Sequence, residues 1–152
     1  MSKASQETLL SVGGSYRGYI ATRPVRGDRI PHHVQGLVIR DYAQRMNLIC
    51  PLLPAVEYAM PGCYMMLESV LKEVPATQGV ILYSLFMLPE RASRRQHMYD
   101  RVFAAGGSLH GALENIALWG HEDTGRVEDI FRVNQFAHAK PPADVAAVLG
   151  GS

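Results

Sequence analysis

Hydrogen-bonding side chains crowd the stretch from Arg17 to Glu68, which otherwise reads as strand and helix. Arg17, Tyr19, Arg23, His32, His33, Gln35, Arg40, Tyr42, Glu57, Tyr58, Cys63, Tyr64 and Glu68 fall there among apolar positions. Such groups are costly to bury unless they pair with one another or with a ligand. Tyr83, Ser84, Arg94, His110 and Glu114 follow in the second half and supply the other side of an expected small-molecule site.

The residue types point to an anion and a proton. The guanidinium fork can bind two oxygens of a phosphate or carboxylate at once. Arg23, Arg40 and Arg94 are therefore the expected anion holders. Glu57 is the expected general base, with His33 or Tyr64 as the opposing acid. Arg17, Tyr19, Gln35, Tyr58, Tyr83, Ser84, His110 and Glu114 complete the ligand-binding set. His32, His33 and His110 titrate near neutrality in their ordinary state. Each assignment has a plainer alternative. His32 and His33 suit a surface or a helix start, Cys63 a small buried position, and Arg91, Arg94 and Arg95 a solvent face. Arg40, Tyr42 and Glu68 suit braces between helices or an oligomer contact.

Other chemistries lack their motifs. Gly13-Gly14 and Gly106-Gly107 do not have the spacing of a phosphate loop, and no dinucleotide fingerprint is present. Cys50 and Cys63 have neither CxxC spacing nor a second pair, so neither a zinc site nor another cofactor is expected. Reduced thiols in a cytoplasmic protein are the expectation.

These residues need a scaffold. The chain has 152 residues, 47% hydrophobic, which suits one domain with a sizeable core. Fifteen basic and 14 acidic residues leave a net charge of +1, which argues against wrapping nucleic acid by bulk charge. No apolar run approaches the roughly 18 residues a membrane-spanning helix needs. Neither a secretory segment nor a membrane partner is expected.

Strands are expected at Tyr16–Thr22, Leu48–Leu53, Gly79–Leu85 and Ser108–Leu113. The Gly79–Leu85 run is the most apolar and so the most central. Helices are expected at Pro31–Asn47, from Pro61 to about Val74, and at Arg91–Ala105, the last stopped by Gly106-Gly107. A short helix is expected near Glu128–Phe136. Residues 1–15 read as a loose arm, 16–119 as the α/β domain, and 120–152 as a tail on the domain or a partner subunit. Alternating strands and helices predict an open parallel sheet with helices on both faces. Ligands gather beyond the carboxyl ends of such strands. The loops there are Thr22–Ile30, Pro54–Pro61, Phe86–Arg95 and Leu113–Trp119, which carry an arginine-rich rim.

From Tyr16 to Leu118 the chain resembles the sporadic carbohydrate cluster protein family. The matching pieces are Arg17-Gly18-Tyr19-Ile20, Ile30-Pro31-His32-His33-Val34-Gln35, Leu37-Val38-Ile39-Arg40-Asp41-Tyr42 and Glu57-Tyr58-Ala59-Met60. They continue through Cys63-Tyr64-Met65-Met66-Leu67-Glu68, Tyr83-Ser84-Leu85 with Leu88-Pro89, and Leu109-His110 to Glu114. The resemblance implies activity on a sugar, a nucleotide sugar or a related intermediate in bacterial carbohydrate biosynthesis. Gly18-Tyr19, Tyr83-Ser84-Leu85 and the arginines after them are also similar to the serine recombinase catalytic domain. Thr22-Arg23-Pro24 stands where that family carries its serine nucleophile, so strand transfer does not carry over. The implied fold is a resolvase-like or flavodoxin-like three-layer sandwich with a mostly parallel sheet.

The leading functional expectation is a cofactor-independent acid–base enzyme, an isomerase, epimerase or lyase, acting on a small anionic sugar-like substrate. The alternative is a non-catalytic binding or accessory protein of such a pathway. Nucleic-acid processing ranks third and would need a reactive hydroxyl at Ser84 or Thr22. A homo-oligomer is expected through a sheet edge or the tail.

Overall fold

The computed structural model describes residues 15–58, 60, 63–74 and 77–138. The expected arm, Ser15 apart, and the stretch 139–152 lie outside these residues, as do Pro61 and Gly62.

Five strands form one sheet: β1 (Tyr16–Ala21), β2 (Ala55–Glu57), β3 (Gly79–Leu82), β4 (Ser108–Gly111) and β5 (Ile116–Leu118). Their order is β2-β1-β3-β4-β5, with the first four parallel and β5 antiparallel to β4. Among the described residues the α-helices are α1 (His32–Arg45), α2 (Met65–Lys72), α3 (Ala92–Ala104) and α4 (Thr124–His138). The architecture is an open, mostly parallel mixed sheet with helices on both faces. α1 packs on one face, while α2 and α3 lie together on the other. Among the described residues, no helix is long and apolar enough to cross a membrane.

The sequence pattern explains the centre. β3 is apolar throughout, and Val80, Ile81 and Leu82 are fully buried between β1 and β4. Each such side chain contributes about 1.5–3 kcal/mol of burial. α3 stops as expected: Gly106 adopts φ 78°, and the Gly107 amide donates to the Val102 carbonyl at 2.9 Å. That six-residue closure requires the left-handed position glycine supplies.

Two expectations are corrected. Leu48–Leu53 does not form the second strand; that place belongs to Ala55–Glu57. Pro51 and Pro54 lack the amides a ladder needs, and Leu52 and Leu53 point into solvent. Within 48–53, only Ile49 makes a bridge, to Ser15. The sheet is mostly parallel, as expected, and β5 alone of its five strands runs the other way. Residues 112–115 turn the chain, with Asn115 at φ 56°, and β5 returns beside β4. β3 ends at Leu82 rather than Leu85, because Ser84 caps a 3-10 turn at Leu85–Met87.

Candidate functional site

At the carboxyl ends of β1, β2 and β3, Arg23 ties three loops together. Its guanidinium donates to the Cys63 carbonyl at 3.2 Å, the Met87 carbonyl at 2.8 Å and the Tyr19 hydroxyl at 3.2 Å. Tyr19 passes the chain on, donating to Glu57 Oε1 at 3.0 Å. Among the described residues, three of the five N–H groups of Arg23 are thus used and two are left over. Its Cζ lies over the Tyr64 ring, 4.5 Å from the ring centre, and the Cζ of Arg94 lies 4.7 Å from the same centre. Stacking of this kind leaves the N–H edge of a guanidinium free.

The loop after β1 folds back on itself. Val25 and Asp28 exchange backbone hydrogen bonds of 2.8 and 3.1 Å around Arg26 and Gly27, whose φ angles are 53° and 87°. Two central residues at positive φ define a tight turn that ordinarily takes Asn-Gly or Gly-Gly. Arginine at the first position is strained by about 1 kcal/mol or more. The turn holds its guanidinium 4.9 Å from the ring centre of Phe86.

These elements enclose a cleft of about 880 Å³. Arg23, Arg26, Arg91 and Arg94 face it, against one carboxylate, Glu90, among the lining residues. Tyr64, Phe86 and Phe131 add aromatic surface, while α4 contributes Asn134 and Gln135. Asn134 Oδ1 is buried and accepts no hydrogen bond among the described residues. The lip is anchored by Arg95, only 3% exposed. It grips both oxygens of Glu128 at 2.8 Å and donates to the Pro89 and Glu90 carbonyls at 2.9 and 2.6 Å. Its hydrogen bonds hold the Glu128 carboxyl below its ordinary pKa.

Of the expected site residues, Arg23, Tyr64 and Arg94 line this cleft. Glu57 is 2% exposed and sits at the start of α2. There it accepts from Tyr19 and from the Met66 and Leu67 amides at 3.0–3.2 Å. Cys63 Sγ lies 3.9 Å away. His33 and Arg40 are exposed on α1, and Tyr58 is exposed after β2. Gln35 is fully buried and clamps the end of β1, bonding the Ala21 amide and carbonyl and the Ile30 carbonyl. Arg17 donates to the Leu53 carbonyl and faces Glu73 at 3.7 Å. Ser84 donates to Glu114 at 2.7 Å, which also accepts the Leu85 amide at 2.7 Å. Tyr83 lines a separate hollow of about 310 Å³ beside Arg26 and Asp28. Burial raises its pKa.

His110 lies in the sheet interior. Its Nδ1 meets the Tyr42 hydroxyl and its Nε2 the Ser108 hydroxyl at 2.8 Å, and Ser108 continues to Tyr16 at 3.2 Å. Burial lowers the imidazole pKa to about 4 and raises that of Tyr42 to about 12. Among the described residues no three His, Cys, Asp or Glu side chains gather where they could hold a metal ion, and both cysteines are free.

The α4 wall is the part sequence reading missed. Phe131, Asn134 and Gln135 recur at three- and four-residue spacing on one helical face, a signal for a shared surface. Comparison with family models, with curated proteins and with solved structures finds no match to this chain.

Proposed function

We propose that the protein binds a small anionic, sugar-like ligand in the arginine-lined cleft. The convergence of Arg23, Arg26, Arg91 and Arg94 on one hollow with a single lining carboxylate carries this reading. Four guanidiniums held together repel one another, and a bound anion removes that cost. The acceptor of Asn134, unpaired among the described residues, and the neighbouring Gln135 suit hydroxyl groups, since a buried unpaired acceptor gains most from a donor. The resemblance to the sporadic carbohydrate cluster family supports the sugar portion. The strand order 2-1-3-4-5 supports a flavodoxin-like, resolvase-like layout, in which ligands sit at the carboxyl edge.

The test is calorimetric titration with glucose 1-phosphate. Binding is expected, with a loss of at least tenfold in Arg94→Gln. Arg94 is exposed and stacks only on Tyr64 among the described residues, so its replacement leaves the fold intact. Equal affinity in the variant rejects the cleft.

The acid–base enzyme is the second reading, favoured by Tyr64 and Glu90 lining the same cleft. In it they replace Glu57 and His33 as the proton-transfer pair. Solvent-deuterium exchange into a bound sugar phosphate, lost in Glu90→Gln, separates it from simple binding. The proposal includes a homo-oligomer formed at the β2 edge, where Leu52, Leu53, Tyr58, Met60 and Met65 are exposed. Mass in solution tests that contact.

A further inference from the structure

We infer that the anionic part of the ligand is a diphosphate rather than a single phosphate or carboxylate. This rests on the anion-binding reading above and specifies its chemistry. The first ground is charge. Four guanidiniums and one carboxylate line the cleft, leaving a surplus of three positive charges. A phosphate monoester carries about 1.5–2 negative charges near neutrality, which leaves part of that surplus uncompensated. A second phosphoryl group makes up the difference.

The second ground is the number of donors. Arg26, Arg91 and Arg94 have no ion-pair partner among the described residues. Arg23 keeps two N–H groups after its three bonds to the described residues. Each fork is best satisfied by two oxygens in one plane. The three terminal oxygens of one phosphate cannot meet four forks in that geometry, whereas the non-bridging oxygens of a diphosphate can be shared among them.

The third ground is placement. The arginines come from two lips of the cleft. Arg23 and Arg26 belong to the loop after β1, and Arg91 and Arg94 to the start of α3. Tyr64 stands between the lips, with Arg23 from one and Arg94 from the other stacked on its ring. Arg26 is fixed by a strained turn and laid on Phe86, so it is already oriented before a ligand arrives. Two pairs of forks on facing lips suit two linked anionic groups, one pair to each.

The experiment compares inorganic pyrophosphate with inorganic phosphate by calorimetry, at one pH and one ionic strength. Pyrophosphate is expected to bind at least tenfold more tightly. Arg91→Gln is expected to cut that preference toward unity. Lys72→Gln, which removes an exposed charge on the last turn of α2 outside the cleft, is expected to leave both affinities unchanged. Equal affinity for the two anions in the wild-type protein overturns the diphosphate assignment and leaves the single-anion cleft standing. Loss of the preference in Lys72→Gln as well shows bulk charge at work and also overturns it. Failure of both anions to bind rejects the cleft itself, together with this inference.

Discussion

The Tyr42 hydroxyl and His110 Nδ1 lie 2.7 Å apart, joining α1 to β4 through the middle of the core. The imidazole is fully buried and its pKa is held down to about 4, so it stays neutral in the folded chain at ordinary pH. Above pH 6.5 the unfolded chain is neutral there too, and the site adds no pH dependence. As pH falls from 6.5 toward 4, the unfolded chain binds a proton that the folded chain refuses. Stability is expected to fall across that window by about 3 kcal/mol in all. Urea midpoints from pH 7.5 to 4.5 check this, and His110→Gln should flatten the slope. An unchanged slope in that variant would assign the effect to other groups.

Glu57 joins β2 to α2. Removing its carboxyl in Glu57→Ala deprives the Tyr19 hydroxyl and the Met66 and Leu67 amides of their acceptor. The expected loss is about 2–4 kcal/mol, the cost of an uncapped helix start plus a buried orphan hydroxyl. Glu57→Gln keeps an acceptor and should lose less, with anion affinity changed under twofold. Denaturant unfolding and calorimetry measure the two effects, and a large affinity loss without a stability loss would place Glu57 in the binding site instead.

At Arg26 stability and binding should move in opposite directions. Asparagine tolerates the positive φ that arginine resists, so Arg26→Asn is expected to stabilise the fold by about 1 kcal/mol. The same change removes a cleft cation and should weaken phosphate binding. A rise in thermal midpoint with unchanged affinity would mean that the strain serves no ligand.

Glu128 is the partner of a buried guanidinium. Glu128→Ala leaves Arg95 unpaired against Phe131 and should cost about 3 kcal/mol. Since Arg95 lowers the Glu128 pKa, this contribution is present above the ordinary carboxylate range. It is lost as pH falls through the lowered value. Amide exchange along α4 should speed up in the variant. Exchange that stays at the wild-type rate would show that the pair does not hold the helix.

Much of the scaffold was legible because its signals are local. The apolar run of β3, the glycine stop of α3 and the arginines after each strand announce themselves. Ala55–Glu57 did not, since three residues with one inward carboxylate carry little pattern beside the more apolar Leu48–Leu53. Only the missing amides of Pro51 and Pro54 exclude the latter. β5 is equally short, and its direction depends on the turn at Asn115. The polar run mixes buried groups that need partners, such as Gln35 and Glu57, with groups that face solvent, such as His33, Arg40 and Tyr58. What sequence could not reveal is that Glu57, Gln35, Ser84 and His110 find those partners inside the protein, while Arg26, Arg91 and Arg94 have no ion-pair partner among the described residues. Pairing is a property of three-dimensional neighbours.

The reversal at β5 has a consequence for cooperativity. Leu118 ends level with Leu109, at the amino edge of the sheet. α4 then climbs back to the carboxyl edge, where Phe131, Asn134 and Gln135 meet the loops of β1 and β3. The cleft therefore joins the beginning of the described chain to its end. A molecule seated there fastens α4 to the sheet, so that opening the helix requires releasing it. Occupied, the two should unfold as one unit; empty, α4 is free to open first.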